Sequence, residues 1–369
     1  MTSSAPTSET RPVAAQHAFD VAALEAWLAP RLPGFAGPLQ VEQFSGGQSN
    51  PTYKLITPGA LYVMRAKPGP AAKLLPSAHA VEREFRVMRA LAATDVPVAR
   101  MHLLCEDEGV IGRAFYVMEH VAGRVLWDQT LPGMTPAERG AIYDELNRVI
   151  VALHRVDPQA IGLGDYGRPG SYFERQIARW SRQYQASITE PIDAMDRLIA
   201  WLPAHLPAHA RDEAQVAIVH GDYRLDNVIF HPTEPRILAV LDWELSTLGH
   251  PIADFSYHGM AWHIPSGVFR GIADADLPAL GIPSEHDYVQ RYLERTPRAD
   301  GSGPSIDAVM ADWDYYLAYN MFRIAAILQG IARRVVEGTA SSAQARQAAA
   351  GARPMAELAW RHAQRAGAA

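Results

Sequence analysis

The stretch AIVHGDYRLDNVIFHPTEPRILAVLDWE (217–244) decides the reading of this chain. It holds two short apolar segments, AIVHGDYRLDNVIFH and ILAVLDWE, that read as short strands ending in polar residues. Asp222 and Asn227 lie five residues apart in a loop, so both side chains can turn toward one cleft. A carboxylate there can accept a hydroxyl proton, and an amide oxygen can bind a hard cation. Fifteen residues beyond Asn227, the run ILAVLD delivers Asp242 at the end of a buried strand. Asn227 and Asp242 together could hold a magnesium ion bridging two phosphates, with water in its other positions.

Upstream of this stretch the pattern is that of strands. VEQF (41–44) runs into SGGQSNP (45–51), and TYKLI (52–56) resumes the alternation. Pro58-Gly59 makes a turn before LYVMRAK (61–67). Residues 78–94 then place Val81, Phe85, Met88 and Leu91 on one helical stripe, and MHLLCED (101–107) and AFYVMEHV (114–121) read as two further strands. After Val121 helices take over. Thr135, Pro136 and Glu138 form a capping-box signature that opens a long amphipathic helix, and more helix is expected over 172–202 and 315–338. Two short surface helices are expected in the Ala-rich last thirty residues, where Gly351 and Pro354 interrupt. The expected architecture is α+β and bilobed. A small antiparallel β lobe with one helix (19–119) precedes a larger, mainly helical lobe (120–369), and residues 1–18 form a disordered tail.

Composition bounds the function. The 369 residues are 48% hydrophobic and 20% charged, with 34 Lys+Arg against 40 Asp+Glu and a formal net charge of −6. No basic field calls for nucleic acid or an anionic membrane. No apolar run approaches the roughly 18 residues of a membrane span. The one cysteine, Cys105, cannot form an internal disulfide, which fits a reducing compartment, and a cytoplasmic location is expected.

HGDYRLDN with LDWE, at this spacing, resembles the aminoglycoside phosphotransferase family, small-molecule kinases with the protein-kinase-like fold. The resemblance runs from the Gly-rich hairpin near residue 44 to the helices beyond 320. It implies an ATP- and Mg²⁺-dependent phosphotransferase acting on a hydroxyl group. It also implies that Asp222 is the catalytic base, Asn227 and Asp242 the Mg²⁺ ligands, and His220 a structural support of the loop. Asp254, in HPIADFSY, would brace the loop backbone. Gly46, Gly47, Gln48 and Ser49 have the chemistry of a phosphate-covering loop, because glycines let backbone N–H groups approach phosphate oxygens. In protein kinases a strand Lys holds the phosphates and pairs with a helix Glu. Here that position reads Arg65, which is favoured for the role, with Lys67 two residues on as the alternative. Glu84 fits the helix partner better than Glu82. By the same analogy the Glu119 carbonyl and the Val121 N–H face the adenine edge.

A closer resemblance exists to the kinase-like domain fused to some acyl-CoA dehydrogenases, carried by FSGGQSNPTYKL, KLLPSAHAVEREFRVM, HGDYRLDNVIFHPTEPRILAVLDWELSTLGHPIADFSY and FRIAAILQG. It implies phosphorylation of a 4-hydroxyacyl-CoA in preparation for elimination, here without a dehydrogenase part. Arg175, Arg179 and Arg182, at steps of 4 and 3 on one helix, could meet CoA phosphates. Asp307, Asp312 and Asp314 would instead suit a cationic acceptor such as an aminoglycoside, or serve as helix N-terminal charges. An antibiotic kinase and a nucleotide-binding pseudokinase are the alternatives.

Overall fold

The computed structural model describes residues 10–45, 50–69, 80–168, 170–212, 215–266, 268–296, 304–339 and 343–369. The chain opens with β1 (Thr10–Arg11), α1 (Val21–Leu28), β2 (Gln40–Phe44), β3 (Thr52–Ile56) and β4 (Leu61–Ala66). Next come α2 (Val81–Leu91), β5 (Met101–Cys105), β6 (Phe115–Glu119), α3 (Pro136–His154), α4 (Tyr172–Ser187) and α5 (Asp193–Ala204). The middle holds β7 (Ala217–Val219), β8 (Val228–Phe230), β9 (Ile237–Val240), β10 (Thr247–Gly249) and α6 (Pro251–Gly259). The helices α7 (Leu277–Leu280), α8 (Glu285–Arg295), α9 (Ile306–Ala311), α10 (Trp313–Val336), α11 (Ala343–Ala350) and α12 (Ala352–Arg365) complete it.

The chain divides into two compact units. The first comprises the described residues through Trp127 together with 159–163 and 224–246; the second comprises 128–158, 164–223 and 247–369. This differs from a single boundary near residue 120, because the β8–β9 pair is tied back to the first unit by a bridge between Arg124 and Phe230.

In the first unit six strands form an antiparallel sheet in the order β1-β2-β3-β4-β6-β5. Alternation along β4 sorts its side chains between two faces. Tyr62, Met64 and Ala66 join Leu24, Leu28, Tyr53, Leu55, Phe115 and Val117 in one apolar cluster beneath α1. Met64 and Phe115 are each fully buried, worth about 1.5–3 kcal/mol apiece. Arg65 points to the other face, directly opposite Tyr116 on β6. The unit therefore holds a second helix, α1, beyond the one expected. Residues 10–18 also depart from the expected tail. Thr10 pairs with Phe44, Ala14 N–H donates to Gln43 Oε1 at 3.1 Å, and the His17 carbonyl accepts from Tyr53 Oη at 3.1 Å and Arg113 at 2.9 Å. The segment is held by strand pairing at Thr10 and Arg11 and by the side chains of Gln43, Tyr53 and Arg113 beyond them.

In the second unit the capping box at α3 is complete: Thr135 N–H donates to Glu138 Oε2 at 2.7 Å, and Glu138 N–H to Thr135 Oγ1 at 3.3 Å. The core is built around α10, buried from Trp313 through Ala326 apart from Asp314. The last helix is not a surface element. Met355, Ala356, Ala359, His362 and Ala363 of α12 are buried, and α12 packs on α10. Small side chains let the two backbones approach, and His362 Nδ1 meets Asp314 Oδ1 at 2.6 Å. Among the described residues no helix is long and apolar enough to cross a membrane.

Candidate active site

The loop after β7 is pinned from below. Asp254, in the first turn of α6, is 2% exposed and accepts both the His220 N–H, at 2.6 Å to Oδ2, and the Gly221 N–H, at 2.7 Å to Oδ1. His154, the last residue of α3, approaches Asp254 Oδ2 through Nε2 at 3.2 Å, while its Nδ1 meets Tyr292 Oη at 2.8 Å. Burial pushes the Asp254 carboxyl up, but His154, His220 and the backbone donors outweigh it and hold it below its ordinary value. Gly221 sits at φ +80°, a conformation open to glycine at little cost. The His220 ring then turns inward, its Nδ1 accepting the Asp222 N–H at 3.1 Å. Asp222 is thus presented by a loop whose successive amides are all bonded, and its carboxylate accepts a hydrogen bond from the Tyr257 hydroxyl.

The first unit carries the other group of candidates. Arg65 Nε lies 3.3 Å from Glu84 Oε2, and its Nη2 lies 2.7 Å from Asp242 Oδ1 and 3.4 Å from Glu244 Oε2. Glu84 is 1% exposed and also accepts from Asn50 Nδ2 at 3.0 Å and Tyr116 Oη at 3.1 Å. Burial opposes the Arg65 charge, yet Glu84, Asp242 and Glu244 together hold the guanidinium more firmly protonated than usual. Burial raises Glu84, while Arg65 and the two donors pull it back. Lys67 pairs instead with Glu82, at 3.0 Å in a half-exposed setting. Gly46, Gly47, Gln48 and Ser49 lie outside the described residues. Glu119 closes β6, with its N–H bonded to the Arg100 carbonyl at 2.9 Å. Val121 follows in the segment leading to Gly123, where an added Cβ would sit 2.3 Å from the Phe230 carbonyl oxygen.

Asn227 and Asp242 sit at the paired ends of β8 and β9: Val228 faces Val240, and the Leu241 N–H donates to the Asn227 carbonyl at 2.8 Å. Asp242 adopts φ +64°, a left-handed turn that aspartate tolerates better than most residues. The pair offers one amide and one carboxylate, both oxygen donors, and Mg²⁺ usually takes only one or two protein ligands beside phosphate and water. These residues therefore fit a magnesium ion.

The three arginines of α4 stand in different surroundings. Arg175 donates to the Arg168 carbonyl at 2.6 Å and lines an open surface pocket with Arg168 and Arg211. Arg179 lies over the Trp180 ring, 5.2 Å from its centroid, and Arg182 is exposed. The acidic residues near α10 are engaged as well. Asp314 bonds His362 and Arg365, and Asp307 stands in the first turn of α9. Sequence reading missed Tyr257 and Arg323. Tyr257 follows Asp254 by three residues on one helix, the spacing that shares a face, and that was the signal available for it. Arg323 donates to the Gly221 carbonyl from 102 residues away, with no local sign.

Comparison with known proteins identifies the family. The sequence model of the phosphotransferase enzyme family matches residues 40–295. Mouse acyl-CoA dehydrogenase family member 10 is 46% identical over 354 residues, which cover 95% of this chain and 32% of that protein. This chain therefore spans about a third of that relative's length. A Ralstonia eutropha protein of known structure, provisionally named an aminoglycoside phosphotransferase, is 64% identical with a TM-score of 0.83, covering 94% of this chain and 99% of that one. An aminoglycoside phosphotransferase solved in ternary complex with AMP-PNP and hygromycin B shares the fold at 18% identity, with a TM-score of 0.57 over 94% of this chain and 99% of that one. A family match over more than half the chain, on a kinase-like fold, makes this chain a member of the phosphotransferase enzyme family.

Proposed function

We propose that the chain transfers the γ-phosphoryl group of ATP to a hydroxyl of a small metabolite, with a 4-hydroxyacyl-CoA as the acceptor. The observation that carries the chemistry is the braced presentation of Asp222, whose loop amides are bonded by Asp254 and His220. Asp222 takes the hydroxyl proton as the acceptor oxygen forms its bond to phosphorus and the bond to the ADP oxygen breaks. Arg65, oriented by Glu84, meets the phosphates with a planar fork, and Lys67 stands two residues further on. Gly46, Gly47, Gln48 and Ser49, outside the described residues, are the candidates for a phosphate-covering loop on their residue types alone. The Glu119 carbonyl and Val121 N–H receive the adenine edge. Asn227 and Asp242 would hold Mg²⁺, which when bound neutralises charge on the phosphate oxygens. Catalysis of this kind rests on positioning and charge stabilisation rather than a covalent enzyme intermediate.

Two features support an acyl-CoA over a cationic acceptor. The likeness to mouse acyl-CoA dehydrogenase family member 10 extends over 95% of this chain, and Asp314 is already engaged by His362 and Arg365. Arg175, Arg179 and Arg182 remain the candidates for CoA phosphates. The test is Mg·ATP turnover by purified protein against 4-hydroxyacyl-CoAs, aminoglycosides, choline and homoserine, with Asp222→Asn as control. Phosphorylation of a hydroxyacyl-CoA that is lost in Asp222→Asn, with ATP binding retained, is the expected result. Preference for an aminoglycoside would overturn the acceptor assignment, and full turnover by Asp222→Asn would overturn the role of Asp222.

A further inference from the structure

A base needs more than a braced backbone. An aspartate side chain keeps two rotatable bonds, and a carboxylate free to turn offers the acceptor a moving target. In this protein the second unit supplies a restraint on the carboxylate itself. α6 places Asp254 and Tyr257 three residues apart on one face. The first bonds the amides of His220 and Gly221, and the second donates its hydroxyl to Asp222 Oδ1. The Tyr257 ring is 4% exposed and fixed in turn. The Arg323 guanidinium lies over it at 5.1 Å from the ring centroid and over the Trp180 ring at 5.5 Å. From the same position Arg323 donates to the Gly221 carbonyl. One cation therefore ties together the turn that carries Asp222 and the ring that holds its carboxylate, and two aromatic faces make that placement favourable for a guanidinium.

We propose that Tyr257 is a positioning residue for phosphoryl transfer. Its hydroxyl occupies Asp222 Oδ1 and so directs Oδ2 to the acceptor, while Arg323 holds the Tyr257 ring in place. This rests on Asp222 being the base. The proton moves from the acceptor hydroxyl to Asp222, and Tyr257 keeps its own proton throughout.

Tyr257→Phe is the test, because it deletes the hydroxyl and leaves the ring, its packing and its stack on Arg323. A hydrogen bond to a charged group corresponds to about tenfold to a hundredfold in rate when its whole value is expressed in the transition state. The expected result is a fall of that size in kcat, measured with a 4-hydroxyacyl-CoA and in parallel with water as acceptor. The Kd for AMP-PNP and the melting temperature should be unchanged. A readout independent of the acceptor is the carboxylate stretch of Asp222 in isotope-edited difference infrared spectra, identified by its loss in Asp222→Asn. That band should move in Tyr257→Phe. An unmoved band, or an undiminished kcat, overturns the proposal, since packing alone would survive the change to Phe. Turnover retained by Asp222→Asn would sink the base assignment instead, so the two failures are distinguishable.

Discussion

Replacing Arg65 with methionine removes the cation that, among the described residues, faces a carboxylate with 1% exposure. Methionine fills a similar volume, so the cavity contribution is small and the loss is electrostatic. Glu84 would keep its donors Asn50 and Tyr116 but lose its counter-charge in a site already unfavourable to ionisation. Breaking one side of a buried pair typically costs about 3–5 kcal/mol. The sign of the pH dependence follows. A carboxyl whose folded value lies above its unfolded value destabilises the fold increasingly as pH rises from the unfolded value toward the folded one. The Arg65→Met deficit should therefore be largest at neutral pH and shrink toward pH 4.5, the ordinary value for glutamate. Adding Glu84→Gln should recover most of the loss, because the amide needs no counter-charge. Urea unfolding at pH 7 and pH 5 for Arg65→Met, Glu84→Gln and the double variant measures all three quantities. A deficit under about 1 kcal/mol, the size of an exposed pair, would refute the reasoning. So would a double variant no more stable than Arg65→Met.

Two smaller effects follow from the second unit. Burial lowers His258 to about 4, below the unfolded value of 6.5, so stability is fully present above pH 6.5 and is lost as pH falls toward 4. His258→Gln should reduce the drop in unfolding free energy between pH 7 and pH 5 by about 2 kcal/mol, and an unchanged drop would count against it. Changing Ala359, fully buried on α12, to leucine (Ala359→Leu) should cost about 1–3 kcal/mol by overpacking the buried face of that helix, read as a lower melting temperature. A surface helix would lose almost nothing.

In β3, β4 and α3 the signal was local and the sequence disclosed it. Alternation in TYKLI and LYVMRA set β3 and β4 to within a residue, and the Thr135 capping box marked the start of α3. Joint spacing drew attention to Asp222, Asn227 and Asp242 because few other demands on a chain produce that set. What stayed hidden depends on distant partners. Residues 10–18 look like a tail in composition, yet Gln43, Tyr53 and Arg113 supply their hydrogen bonds. The Ala-rich end looks like surface helix until α10 is brought against it. The boundary near residue 120 overlooked 224–246, because hydrophobic patterning does not reveal that β8 bridges back to Arg124. Tyr257 and Arg323 gain their meaning from Asp222 and Gly221, 35 and 102 residues away.

The choice between Arg65 and Lys67 shows where sequence reading runs out and burial takes over. Both cations lie on or beside β4, both find a glutamate on α2, and the two pairs, Arg65–Glu84 and Lys67–Glu82, keep the same two-residue offset. Spacing alone cannot rank them. The side chains of Lys67 and Glu82 are 28% and 37% exposed, so water competes for both partners and the pair is worth little. Arg65 and Glu84 are 12% and 1% exposed, and Arg65 must answer Asp242 and Glu244 as well. A lysine is a compact charge at the end of one stem, whereas a guanidinium presents five donors in a fixed plane and can face three carboxylates at once. The arginine that departs from the protein-kinase pattern is thus matched to its surroundings: the strand position that meets the α2 carboxylate is also the one that meets Asp242.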